Sequence, residues 1–247
     1  MSYDKLVAGA RELGLELSRE QAGLLLKYRG LLAEGGRRAN LTAIRGEDII
    51  PLHFLDSLSG ASFLPQKTGV KILDVGSGAG FPGLPLKIYR PDLRLHILDA
   101  SEKRLFFVEG LIQKLGLREV SLFHGRAEEY GQKEGFREAY PWVTARGLAP
   151  MAVLLELCLP FCCPGGLFCA YKGPKISREM KESELALTLL GGRLLRECSL
   201  VLPQSGAGRR LLIFEKADKT PQQYPRRPGL PAKRPLGSRG DEKGASQ

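Results

Sequence analysis

The densest chemistry in this chain lies in Asp74-Val-Gly76-Ser-Gly78-Ala-Gly80-Phe81-Pro82-Gly83. An apolar run over 70–75 leads into it, and Asp74 closes that run just before the glycines. Three glycines at every second position make a turn that a ligand can approach along bare backbone. Pro82 suits a helix start, where its missing N–H costs nothing, and a helix start offers unpaired N–H donors. A second apolar run, 93–98, ends in another acid, Asp99. A carboxylate at a strand end can accept hydrogen bonds from both hydroxyls of a ribose. Strand, glycine turn, helix, strand and acid are half of a nucleoside-binding α/β sheet.

Two ligand classes use that layout. Gly78-Ala-Gly80-Phe-Pro-Gly83 matches the G-x-G-x-x-G dinucleotide pattern literally, whereas Asp74-Val-Gly76-Ser-Gly78-Ala-Gly80 matches the Asp-x-Gly-x-Gly-x-Gly pattern of S-adenosylmethionine (SAM) methyltransferases. The second reading is favoured. A strand-terminal acid suits a ligand with a cationic amino-acid end better than a pyrophosphate, and no second glycine turn follows. Asp74 either reaches the cofactor's amino group, directly or through water, or braces the turn. Further on, Ala127 can lie flat against adenine while Glu128 accepts from its amino group; alternatively Glu128 and Glu129 only begin a surface helix. Cys158, Cys162, Cys163, Cys169 and Cys198 lack C-x-x-C spacing and a nearby histidine, so they read as buried thiols of a reducing cytosol, with no metal site.

The elements that must position these residues are legible from periodicity. Residues 1–65 read as a helical extension: Ser18 and Gln21 make a capping box, and Leu24, Leu25, Tyr28, Leu31 and Leu32 form a helical stripe. A break is expected at Gly35-Gly36, before a basic link containing Arg37, Arg38 and Asn40, and a further helix over 48–58. Residues 66–217 alternate strands (71–75, 93–98, 120–124, 142–145, 167–172) with helices (82–89, 102–115, 151–161, 177–190), then close with strands 193–201 and 210–215 joined by a Pro/Gly turn. That is an α/β domain with a mainly parallel seven-stranded sheet, helices on both faces and an antiparallel end hairpin. Residues 218–247 are a basic Pro/Gly-rich tail, expected to be extended rather than helical.

Composition adds a partner class. The 247-residue chain carries a net charge of +10, with a pI near 9.5, which suits a polyanion. The N-terminus lacks a signal peptide's basic-then-apolar build, and the apolar tract 151–171 is broken by Glu156, Pro160, Pro164, Gly165 and Gly166, so neither export nor a membrane span is expected.

Together, Asn40-Leu-Thr42, His53-Phe-Leu-Asp56-Ser57, the 74–83 turn, Arg126-Ala-Glu128-Glu129, Ala145-Arg146, Lys172-Gly173 and Tyr224-Pro-Arg226-Arg227-Pro-Gly resemble the bacterial 16S ribosomal RNA guanine-N7 methyltransferase family, in the family's order from about Asn40 to Leu236. The resemblance implies a class I methyltransferase fold, Rossmann-like, with SAM as donor and N7 of one guanosine near the decoding region of 16S rRNA as acceptor. It implies that Gly76 and Phe81 contact the cofactor in the turn, that Asp99, Ala100 and Ser101 sit at the ribose and adenine edge, that Ala127 and Glu128 line the adenine, and that Arg146 closes the site; the glycine motif itself adds Asp74, Gly78 and Gly80 as cofactor candidates. The partner is then 16S rRNA or the 30S subunit in the cytoplasm; separately, nothing in the sequence resembles a dimer interface, so a monomer is expected.

Guanine N7 carries a free lone pair, so no proton must leave before attack and no general base is required. Proximity and in-line alignment should supply the catalysis, an effect worth up to ~7–11 kcal/mol in favourable systems. The product base is cationic, so Arg146 is expected to bind the cofactor carboxylate, or a guanine O6 or phosphate, rather than N7. Arg37, Arg38, Asn40, Lys172, Arg226, Arg227, Lys233 and Arg234 are the candidates for RNA contact. Three other readings remain: a methyltransferase of another RNA or a small molecule, a nicotinamide-dependent oxidoreductase, and a non-enzymatic RNA-binding or assembly module.

Overall fold

The computed structural model describes residues 2–39, 44 and 46–237. Strands β1 (Lys71–Val75), β2 (Arg94–Asp99), β3 (Val120–His124), β4 (Tyr140–Arg146), β5 (Cys162–Lys172), β6 (Gly192–Val201) and β7 (Gly208–Lys216) form one sheet in the order β3-β2-β1-β4-β5-β7-β6. The first five are parallel; β7 pairs antiparallel with β5 and with β6. The chain leaves β1 towards β2 and β3, then returns to place β4 on the other side of β1. That reversal is the topological switch point, and the carboxyl ends of β1 and β4 open there onto a crevice.

Side chains alternate across the pleat, so neighbours on one strand serve opposite cores. Ile72 faces a core shared with α1 (Ser2–Glu12), α2 (Arg19–Ala39), α4 (Gly83–Tyr89) and α5 (Glu102–Leu115), through residues such as Leu6, Leu25, Leu84 and Val108. Leu73 and Val75 face the other core, filled by α7 (Met151–Cys158) and by Tyr224 and Leu236 of the tail. Between α2 and the sheet, a π-helical stretch Ile50–Leu55 runs into α3 (Asp56–Leu58). The capping box forms at α2: Ser18 Oγ accepts from the Gln21 N–H at 3.1 Å, and Gln21 Oε1 from the Ser18 N–H at 2.8 Å.

Three expectations are corrected. Gly35-Gly36 does not break the helix; α2 continues to Ala39. Gly35 lacks a side chain because Phe107 of α5 lies against it: a Cβ there would come within 2.4 Å of Phe107 Cε2, so the glycine allows close helix packing. The helix expected over 177–190 is two, α8 (Ser177–Glu182) and α9 (Glu184–Leu189), divided at the buried Ser183. The tail is not extended over 224–236. It folds onto the sheet domain, with Gly229 at φ 79° leading into a short helix α10 (Leu230–Lys233) that has proline in its first turn. Of the cysteines, Cys158, Cys162 and Cys169 are buried, while Cys163 and Cys198 are half-buried. Among the described residues, no helix is long and apolar enough to cross a membrane.

Candidate active site

The glycine turn after β1 is held by carboxylates. Gly76, Gly78 and Gly80 have φ of +70°, +60° and +101°, a region that side-chain-bearing residues avoid. Asp74, fully buried, accepts from the Gly83 N–H at 2.8 Å through Oδ2. Its Oδ1 has no partner in the structure, and burial pushes its carboxyl up to about 7. Asp74 thus braces the turn from beneath. Asp99 bridges two loops: Oδ2 accepts from Gly78 N–H and Oδ1 from Ser101 N–H, both at 2.9 Å.

Above these lies a cavity of about 220 Å³. It gathers Gly76, Asp99 and Ala100, with Ala127 and Glu128 of α6 (Ala127–Tyr130), from the sequence-derived set, and Leu148, Val153 and Leu157 are its apolar walls. A polar strand-end acid at one side and flat aliphatic walls at the other suit an adenosyl group. Three tail residues, Gly229, Pro231 and Ala232, also line it. Glu128 is buried and accepts the Gly229 N–H at 2.9 Å, so one oxygen of the expected adenine acceptor is held by the tail.

Phe81 and Arg146 are placed elsewhere. Phe81 is buried in a stack: the Tyr28 ring lies 5.3 Å away at 8° and the His53 ring 4.3 Å away at 6°. Tyr28 also donates to the Ala79 carbonyl, so α2 grips the glycine turn from outside. Arg146 lies 5.0 Å over Phe81. Its Nη1 donates to Asp56 Oδ2 at 3.0 Å and its Nη2 to His53 Nδ1 at 2.9 Å. Since arginine only donates, His53 must accept at Nδ1 and carry its proton on Nε2. Burial, with the Arg146 charge, pulls the imidazole down to about 3, so it is neutral. Arg209 of β7 reaches the other oxygen of Asp56 at 3.1 Å.

Arg146, Asp56, His53 and Arg209 line a second cavity of about 250 Å³, with Tyr171 and Lys172 at its edge. The turn after β4 divides the two spaces: Arg146 and Gly147 face the second, Leu148 and Ala149 the first.

A cavity that suits a nucleoside thus lies beside a basic one at the switch point. The sequence profile described as rRNA small subunit methyltransferase G matches residues 21–204. The chain belongs to that family, whose methyl donor is SAM. The ribosomal RNA small subunit methyltransferase G of Alkaliphilus metalliredigens is 44% identical over 229 residues, covering 92% of this chain and 96% of that one. Its namesake from Lactobacillus acidophilus is 42% identical over 239 residues, covering 96% and 100%. Among solved structures, TrmN from Thermus thermophilus has a TM-score of 0.52 at 21% identity, over 73% of this chain and 53% of that one. A precorrin-6y C5,15-methyltransferase from Geobacter metallireducens has a TM-score of 0.51 at 14% identity, over 65% and 88%. These two share the class I methyltransferase fold.

The candidates for RNA contact separate in the structure. Lys172 lines the second cavity and is paired with Glu179 at 2.6 Å, and Arg226 is paired with the fully buried Glu156 at 2.6 Å; both basic side chains are half-buried. Arg227, Lys233 and Arg234 are exposed. The side chains of Arg37 and Arg38, and all of Asn40, lie outside the described residues. In the sequence, His53 and Asp56 read as residues that pack the helical segment onto the sheet rather than as site residues, and Arg209 is not singled out. The signal available was the His53-x-x-Asp56 spacing, which sets both side chains within one helical turn; nothing local marks Arg209. Among the described residues, no group of His, Cys, Asp and Glu could hold a metal ion.

Proposed function

We propose that this methyltransferase transfers the SAM methyl group to N7 of a single guanosine of 16S rRNA, presented by the 30S subunit or its rRNA in the cytoplasm. The observation that supports this reading best is the pair of cavities divided by the Arg146–Leu148 turn, one built for an adenosyl group and the other basic. When bound, SAM supplies an electrophilic methyl group. The chain's part is positional, since N7 needs no deprotonation.

Asp99 and the glycine turn set the nucleoside end. Tyr28 and Phe81 fix the turn from the helical side. Arg146 is oriented by Asp56 and His53, so its donors have fixed directions. Two arginines around one carboxylate leave the cluster with a single net positive charge, enough to hold a phosphate or a guanine O6 without placing a full unpaired cation at N7. The target guanosine must leave its stack to reach this recess.

Labelled SAM incubated with 16S rRNA and with 30S particles from cells lacking the enzyme tests the reading, with the nucleoside identified by mass spectrometry. 7-Methylguanosine at one position is expected. Transfer only to another RNA or to a small molecule would sink it, and binding of NAD instead of SAM would turn the pocket into that of an oxidoreductase.

A further inference from the structure

We infer that residues 224–236 form a wall of the adenosyl pocket, so that the cofactor site is incomplete without the folded tail; the inference rests on reading the 220 Å³ cavity as the SAM site. The basic composition of this segment suggests an arm for RNA, and Arg227, Lys233 and Arg234 do face solvent, but Arg226 and the backbone of the segment make internal contacts. Gly229, Pro231 and Ala232 line the cavity together with Ala127 and Ala100. The Gly229 N–H is bonded to Glu128, which lines the same cavity. The wall and the adenine edge are therefore one hydrogen-bonded unit.

The segment is latched to the helix that forms the cavity's apolar side. Arg226 grips Glu156 of α7 with Nε to Oε1 at 2.8 Å and Nη2 to Oε2 at 2.6 Å, and its backbone N–H adds a third bond at 2.9 Å. Glu156 follows Val153 by three residues, so it lies one turn along α7 beside that cavity-lining side chain. A fully buried carboxylate without this partner would be left uncompensated, so the latch is part of the fold. Further back, Arg137 holds the carbonyls of Thr220 and Tyr224, each at 2.7 Å, and Gln132 those of Gln222 and Pro225 at 3.0 Å. Tyr224 and Leu236 are buried in the second core at either end of the wall.

The consequence is that Gly229, Pro231 and Ala232 of this tail set cofactor affinity, independently of any contact its exposed basic side chains make with RNA. Calorimetric titration of the full chain with S-adenosylhomocysteine, beside an rRNA-binding assay, tests it. Ala232 is exposed at the cavity, so Ala232→Trp fills the pocket without disturbing the core. It should weaken S-adenosylhomocysteine by at least about tenfold, with the melting temperature and rRNA affinity unchanged. Arg226→Gln should act in the same direction; should it not fold, Ala232→Trp still decides. Asp99→Asn is the control for the pocket. If Asp99→Asn weakens binding and Ala232→Trp does not, the tail is no wall and the inference fails. If neither variant changes the affinity, the cofactor lies elsewhere and the underlying reading fails with it. A loss of rRNA affinity with intact S-adenosylhomocysteine binding would make the segment an RNA arm instead.

Discussion

Arg146 at the end of β4 and Asp56 at the start of α3 meet at 3.0 Å across 90 residues of sequence, and Asp56 turns its other oxygen to Arg209. The carboxylate is nearly fully buried and the Arg146 side chain is 14% exposed, so this pair joins the helical N-terminal segment to the switch point in a region of poor screening. Removing the carboxylate leaves two cations facing each other. Asp56→Ala should destabilise the fold by about 3–5 kcal/mol, the range for breaking a buried pair, as read from urea denaturation. A loss below about 1 kcal/mol, typical of exposed pairs, would mean that Asp56 is not essential to that junction.

Arg146→Lys keeps the charge and loses the fork. Because Arg146 lines the basic cavity and not the nucleoside one, its substitution should lower turnover strongly while S-adenosylhomocysteine affinity holds. Single-turnover methyl transfer and calorimetry on the same preparation separate the two. Weakened cofactor binding with normal turnover would assign Arg146 to the cofactor carboxylate.

Tyr28 is fully buried in α2, stacked on Phe81 and bonded to the Ala79 carbonyl. Tyr28→Phe removes one hydrogen bond and should cost about 0.5–1.5 kcal/mol; Tyr28→Ala opens a cavity and should cost about 3–5 kcal/mol. Both should weaken cofactor binding through the glycine turn. Equal S-adenosylhomocysteine affinity in the wild type and Tyr28→Phe would show that the turn holds itself.

Two buried groups in this region give pH dependence of opposite sign. Burial lifts Asp74 from the ordinary carboxylate range to about 7. The folded state then holds a proton that the unfolded state releases, so this contribution is full at low pH and is lost as pH rises from about 4 to about 7. Burial pulls His53 down to about 3. There the unfolded state holds the extra proton, so stability falls as pH drops from about 6.5 to about 3. Each slope approaches about 1.4 kcal/mol per pH unit at most, and in the wild type they oppose one another. Asp74→Asn should therefore reveal a stability that rises with pH between about 4 and 6.5, measured by denaturant midpoints across that window. An unchanged profile would show that Asp74 ionises normally.

Local patterns determined the α/β class, the strand at 71–75, the helix at 102–115 and the glycine turn with its two acids, since periodicity, caps and positive-φ glycines act over a few residues. The Ser18–Gln21 cap is of the same kind. Tertiary structure alone decided which charged residues face solvent. Arg226 and Lys172 read as free cations in the sequence, yet Arg226 meets a carboxylate 70 residues away and Lys172 meets Glu179 across a loop. Gly35 reads as a breaker, and only the approach of Phe107 shows that it is a contact. His53, Asp56, Arg146 and Arg209 meet only when the π-helical stretch, α3, β4 and β7 converge. Burial and pairing of charges depend on what the whole fold brings together, and neighbouring residues in sequence carry no record of it.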